Sequence, residues 1–153
     1  MKLTHLLKPE HVLLDVQASS REELLSVVAR VLEETGAAPD AKELVELLVE
    51  RERLGPTIVD EETALPHCKV PNLKHIVAAF ARSVEAIPWG DASKARLFFF
   101  VLSPREQPAA HLQVLAGIAR LLRNPRARKV CLGAATREAL LGGLGRFDMG
   151  AAT

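Results

Sequence analysis

The chain has 153 residues and a mass of 16.7 kDa, the size of one ordinary domain, which buries about 68–70% of its unfolded surface and needs no disulfide or metal staple. Its composition, 48% hydrophobic and 25% charged, is that of a globular protein. Basic and acidic residues nearly balance, 20 against 19, which argues against a nucleic-acid-binding face, and no run approaches the roughly 20 apolar residues of a membrane helix.

From the N-terminus, Met1 to Pro9 holds no apolar stretch long enough for a signal peptide or anchor. A cytoplasmic protein is expected, with Cys68 and Cys131 as free thiols in a reducing compartment. His11–Val16 reads as a short strand. Ser20 and Glu23 have capping-box spacing and open a helix whose apolar residues, Leu24, Val27, Val28, Val31 and Leu32, recur at three- and four-residue steps until Gly36. Asp40 with Glu43 opens a second helix, which carries Leu44, Leu47, Leu48 and Arg51 along one stripe and ends near Gly55. Arg51 therefore extends the inward face of that helix, close to its C-terminus, where the macrodipole favours a cation.

Two near-continuous apolar runs, Ile76–Ala81 and Leu97–Leu102, are expected as central strands covered on both faces. Between them Ile87–Asp91 reads as a turn or loop, with Trp89 as a lid over the edge of the core. Pro108 opens the most regular helix, in which Leu112, Leu115, Ala119 and Leu122 form one row and Asn124-Pro125 marks the end. A short basic helix through Val130 and Leu132 follows, its Arg123–Lys129 run read as a solvated helix end, and Thr136 starts the last helix. The chain is expected to fray beyond about residue 145. Strands interleaved with helices on both sides predict an α/β sandwich in one domain spanning residues 1–153.

The chemistry concentrates between Arg51 and His67. Pro66 biases Leu65 toward extended backbone and sets the geometry before His67. Imidazole has a reference pKa of about 6.5, so it is largely neutral near pH 7 and can accept a phosphoryl group. Phosphoryl transfer then needs in-line positioning and neutralisation of the equatorial oxygens. The guanidinium of Arg51, the hydroxyl of Thr57 and the second imidazole of His111, in the first turn of its helix, are the candidate groups for that. Other chemistries fit less well. His67, Cys68 and His75 with Glu61 or Glu62 match no common zinc spacing, and Cys68 as a nucleophile beside His67 or His111 has no visible third group.

The block Arg51-Glu52…Thr57…Ala64-Leu65-Pro66-His67 resembles the fructose/mannitol/nitrogen-regulatory class of phosphotransferase-system (PTS) IIA domains. Matches continue in Ile87-Pro88-Trp89, in Leu102-Ser103-Pro104 and in His111-Leu112…Leu115-Ala116…Ile118-Ala119…Leu121-Leu122, in order over nearly the whole chain. The resemblance implies an α/β fold with a mixed sheet between helical layers. It implies His67 as the phosphorylated histidine, His111 as the second active-site histidine, Arg51 as the phosphate-side arginine and Thr57 as the hydroxyl position. It further implies a histidine phosphocarrier protein as donor and a IIB domain or a regulatory target as acceptor, with no cofactor or metal. With neither transporter helices nor a IIB segment in the sequence, a stand-alone nitrogen-regulatory type is expected.

One stretch departs from the family pattern. Where the family carries a Gly-Ile-Gly-x-Gly run, this chain has Ile58-Val59-Asp60-Glu61-Glu62-Thr63. Three carboxylates beside a phosphoryl dianion would repel it, by about 4 kcal/mol for a unit pair at 4 Å and an effective dielectric near 20. Turned to solvent they would not. The alternative function is accordingly a non-phosphorylated regulatory binding module that keeps the IIA fold.

Overall fold

The computed structural model describes residues 2–149. A 3-10 turn at Leu3–His5 leads into β1 (Leu7–Val16), followed by α1 (Arg21–Glu34) and α2 (Ala41–Arg53). Three short strands come next, β2 (Ile58–Asp60), β3 (Thr63–Ala64) and β4 (His67–Val70), then two long ones, β5 (Val77–Pro88) and β6 (Lys94–Pro104). The chain ends in α3 (Pro108–Leu122), α4 (Pro125–Gly133) and α5 (Arg137–Leu144).

Local chemistry fixes the helix starts. Ser20 Oγ accepts the Glu23 amide at 3.1 Å, and the Glu23 carboxylate returns to the Ser19 amide at 2.7 Å, one residue outside the expected box. Asp40, Asn124 and Thr136 cap α2, α4 and α5 in the same way, each through its side-chain oxygen. Pro108 and Pro125 occupy early helical positions, where a missing N–H costs nothing.

The six-stranded sheet runs β1-β5-β6-β3-β2, with β4 also paired to β6. β1 lies parallel to β5, β5 antiparallel to β6, and β6 parallel to both β3 and β4, so the sheet is mixed. Because successive strand residues face opposite sides, β6 supplies two cores at once. Leu97, Phe99 and Val101 join the cluster under α3, α4 and α5, while Phe98, Phe100 and Leu102 join the cluster under α1 and α2. All six are fully buried, which is why the run has no polar alternation.

Several boundaries differ from the expectation. β1 begins at Leu7, ahead of His11, because buried Leu7 pairs with Ala78. β5 continues through Ile87 and Pro88, paired with Ala95 and Lys94, so the turn starts at Trp89. Trp89 is fully buried against Phe98, with ring centroids 4.9 Å apart, and not a lid at the edge. The tail does not splay at residue 145: Met149 is buried and its Cβ abuts Gly117 of α3, where an added Cβ would approach to 2.7 Å. The expected fraying of 150–153 lies outside the described residues. Both cysteines are free and buried, and among the described residues no helix is long and apolar enough to cross a membrane.

Candidate functional site

β3 and β4 run along the same side of β6 as one strand broken in the middle, β3 covered by β2 and β4 left at the sheet edge. Thr63 and Ala64 pair with Leu97 and Phe98, and His67 to Val70 pair with Val101 to Pro104. Leu65 and Pro66 form the break. Proline has no N–H to give a ladder, so the Pro66 carbonyl alone engages the neighbour, accepting the Val101 amide at 3.1 Å. The Leu65 amide instead turns back to the Thr57 carbonyl at 2.8 Å. That leaves the Leu65 carbonyl 2.7 Å from His67 Nδ1.

This contact assigns the His67 tautomer. A carbonyl can only accept, so Nδ1 carries the proton and Nε2 presents its lone pair. Arg51, in the last turn of α2, donates its Nε–H to that lone pair at 3.2 Å. The same guanidinium donates from Nη1 to the Gly55 carbonyl at 2.9 Å. Gly55 has φ +150°, a backbone conformation side-chain-bearing residues rarely adopt, and it lets the chain leave α2 while keeping its carbonyl on Arg51. Arg51 and His67 are both half-buried.

Burial is the main force lowering the His67 pKa below the ordinary value, and the Arg51 charge adds to it; the Leu65 carbonyl and Glu52 work in the opposite direction and do not prevail. His111, at the start of α3, has its ring centroid 5.5 Å from that of His67. Its Nδ1 lies 2.6 Å from Ser103 Oγ, with Ser103 fully buried on β6. Burial also lowers the His111 pKa, helped by His67 and Lys69. Two neutral imidazoles and a guanidinium thus meet where the sheet edge, α2 and α3 converge.

Thr57 does something different from what its position suggests. Its hydroxyl donates to Glu52 Oε2 at 2.5 Å and its amide to Glu52 Oε1 at 3.0 Å. Trp89 Nε1 donates to the same Oε1 at 3.0 Å. With its proton committed to a carboxylate, the Thr57 hydroxyl has only lone pairs left, and these do not attract an anion. The structure gives Thr57 to a buried Glu52–Thr57–Trp89 network that fixes the segment following α2.

Two residues of this arrangement went unread in the sequence, Glu52 and Ser103. Glu52 had a signal: it lies four and eight residues after Leu48 and Leu44, on the apolar stripe of α2, and is itself buried. Ser103 had a weaker one, since strand alternation places it on the α3 side with Phe99 and Val101.

Two of the three acids of the bridge are tied to α4. Arg128 of α4 binds Asp60 Oδ2 at 2.5 Å and Glu62 Oε2 at 3.1 Å. Burial alone would raise the Asp60 pKa, but hydrogen bonds from Arg128 and the Glu62 amide hold it below the usual value. The charges acting on His67 are those of Arg51 and Glu52; no carboxylate of the bridge is among them. Cys68, adjacent in sequence, is buried, and that burial pushes its thiol up to about 12, which disfavours the thiolate a nucleophile needs.

The family profile described as "Phosphoenolpyruvate-dependent sugar phosphotransferase system, EIIA 2" matches residues 5–144. The nitrogen regulatory protein of Bradyrhizobium diazoefficiens is 37% identical over 127 residues, covering 81% of this chain and 82% of that protein. The fructose-specific EIIABC component of Bacillus subtilis is 26% identical over 97% of this chain, which spans only 24% of that longer protein. Among solved structures, nitrogen regulatory protein IIA-Ntr from Neisseria meningitidis superposes with a TM-score of 0.85 at 24% identity, covering 93% of this chain and 98% of that one. The Escherichia coli complex of mannitol IIA with phosphorylated mannitol IIB gives 0.77 at 21% identity, covering 93% and 100%. At these identities the two structures establish the fold.

Proposed function

This chain belongs to the PTS EIIA type 2 family, and from that premise we propose that it is a phosphohistidine carrier in which His67 Nε2 accepts the phosphoryl group. The observation that carries this reading is the Arg51 Nε contact on His67 Nε2 at 3.2 Å, opposite an Nδ1 held by the Leu65 carbonyl. A nitrogen so held is neutral, correctly tautomeric and already paired with a cation.

The step is an in-line displacement between imidazoles. The Nε2 lone pair forms the new P–N bond as the bond to the donor's phosphohistidine breaks, and the donor nitrogen leaves with the electron pair. The Arg51 Nε–H, released from the lone pair it held, turns to a phosphoryl oxygen; such charge-assisted bonds are shorter and about twice as strong as neutral ones. In this reading His111 takes the tautomer that accepts from Ser103 Oγ–H at Nδ1, which leaves its Nε2–H to donate to a second oxygen. Thr57 acts as a positioning residue through Glu52.

The donor in this reading is a histidine phosphocarrier protein of the cytoplasm, and the acceptor a IIB domain or a regulatory target. A protein partner has something to hold: Leu54 is 83% exposed and Leu112 is 65% exposed, one three residues after Arg51 and the other next to His111. Large apolar side chains beside a reactive group mark a docking surface. The nitrogen-regulatory kind is favoured by the 37% identity to the Bradyrhizobium protein over most of both chains. The alternative of a non-phosphorylated binding module draws its support from the acidic bridge, and two of its three carboxylates are held by Arg128.

Incubation with phosphoenolpyruvate, the first PTS kinase and a histidine phosphocarrier tests this by intact mass. One added phosphoryl group, absent in His67→Ala, is the expected result. An unmodified protein at every carrier concentration, with the carrier itself phosphorylated, would favour the binding module.

A further inference from the structure

A phosphoryl group on His67 brings more negative charge than Arg51 can meet. A phosphorylated side chain holds about −1.5 to −2 charges at pH 7. Apart from the rings themselves, the charges acting on the two histidines are Arg51 and Glu52 at His67, and Lys69 at His111. Arg51 supplies one positive charge, and buried Glu52 sets a negative one against it. Both imidazoles are neutral, burial being the main cause. Two other arginines are already committed: Arg53 pairs with Glu50 at 2.9 Å, and Arg128 holds Asp60 and Glu62.

Lys69 is the cation in place to meet the rest. It follows His67 by two residues on β4, and successive strand residues face opposite sides. Cys68 and Val70 join the core under α1 and α2, so His67 and Lys69 share the other face, toward α3. The register agrees. His67 lies opposite Val101, which packs under α3, and Lys69 lies opposite Ser103, whose Oγ is 2.6 Å from His111 Nδ1. Two steps along a strand span about 6.6 Å, within reach of the flexible four-carbon stem of lysine. Lys69 is exposed at the sheet edge, and among the described residues it has no ion-pair partner. Its charge helps to lower the His111 pKa, as an ammonium beside that ring must.

We propose that Lys69 is a phosphoryl-binding residue, its ammonium donating to the oxygen of the His67 phosphoryl group that Arg51 and His111 leave unmet. It makes and breaks no covalent bond. In the unmodified chain the ammonium stands in solvent beside His111, and it swings onto the group once the P–N bond has formed. This role rests on the carrier reading of His67 and adds a third donor to it.

The test is the equilibrium of phosphoryl exchange. Phosphorylated histidine phosphocarrier is mixed with the intact chain in the absence of the kinase, and the modified fraction of each protein is read by intact mass. That partition depends only on the free energies of the separate proteins, so contacts made during docking drop out of it. Lys69→Met should shift it about fivefold or more toward the carrier, and Lys69→Arg, which keeps the charge, should stay within about twofold of the wild type. In unphosphorylated Lys69→Met, an NMR titration should find the His111 midpoint moved upward, since a like charge has gone. An unmoved partition in Lys69→Met overturns the proposal, and if the KM for the carrier rises alone, Lys69 is a docking contact instead. Lys69→Arg as poor as Lys69→Met, or an unmoved His111 midpoint, overturns it too. A wild-type chain that takes up no phosphoryl group overturns the carrier reading and this role with it, whereas normal uptake with an unmoved partition overturns this role alone.

Discussion

At the residue scale the site depends on how one imidazole is held from both sides. The Leu65 carbonyl takes the proton of Nδ1, and Arg51 waits on Nε2. In the proposed mechanism Arg51→Leu removes the cation that follows the phosphoryl group, and loss of one such donor costs about 100-fold in transfer rate. Arg51 is half-buried at the end of α2, so the thermal midpoint should hardly move; a collapse of folding would make Arg51 structural. Glu52 is the opposite case. It accepts three buried donors, and Glu52→Ala strands them at about 1–3 kcal/mol for each unsatisfied group, which urea denaturation would register as a large loss. His67, His111 and Arg51 were legible because histidines beside proline and in a helix first turn, and an arginine on an apolar stripe, are unusual placements. Thr57 was legible as a position but not as a role, since the partner of a hydroxyl is decided by tertiary packing.

At the element scale, the β2–β3 hairpin is where this chain is most individual. Its acidic tip is tied to α4 by Arg128, which exchanges the freedom of a glycine-rich loop for an ion-pair clamp. The groups are partly exposed, so the clamp contributes little to global stability, and its effect belongs to local geometry. Arg128→Ala should free Asp60 and Glu62 and slow phosphoryl uptake several-fold at low salt, within the range of a few screened charge interactions. Adding Asp60→Asn and Glu62→Gln should restore the rate. A triple variant as slow as the single one would show that the hairpin's position, and not its charge, matters. Helices and long strands were readable from caps and apolar runs. β3 and β4, of two and four residues, were not, because they exist only as partners of β6 and carry too little pattern of their own. The α/β sandwich was therefore legible while the strand that presents His67 was not.

At the scale of the whole molecule, the mixed sheet brings the two helical layers to one edge. Arg51 comes from the α1–α2 side, His111 from the α3 side, and His67 from the strand between them. Holding neutral histidines there has a thermodynamic signature. Burial lowers the pKa of His11, His67 and His111 in the folded chain, while the unfolded chain protonates near the ordinary value of about 6.5. Below that pH the unfolded state binds more protons, so stability falls as pH drops from about 7 toward the folded-state values. Thermal midpoints between about pH 7.5 and 5.5 should decline, and the slope should flatten in His67→Ala. Stability that rises on acidification would mean the rings are charged in the fold, which a lone-pair acceptor cannot be.

The most direct measurement is the identity of the modified nitrogen. With histidine rings labelled with nitrogen-15 and the protein phosphorylated by its carrier, correlation NMR resolves which ring atom bonds phosphorus. A phosphoryl group on Nε2 of His67, with the Nδ1 proton still hydrogen-bonded to the Leu65 carbonyl, is the expected result. Phosphorus on Nδ1, on His111 or on no histidine would contradict the relay.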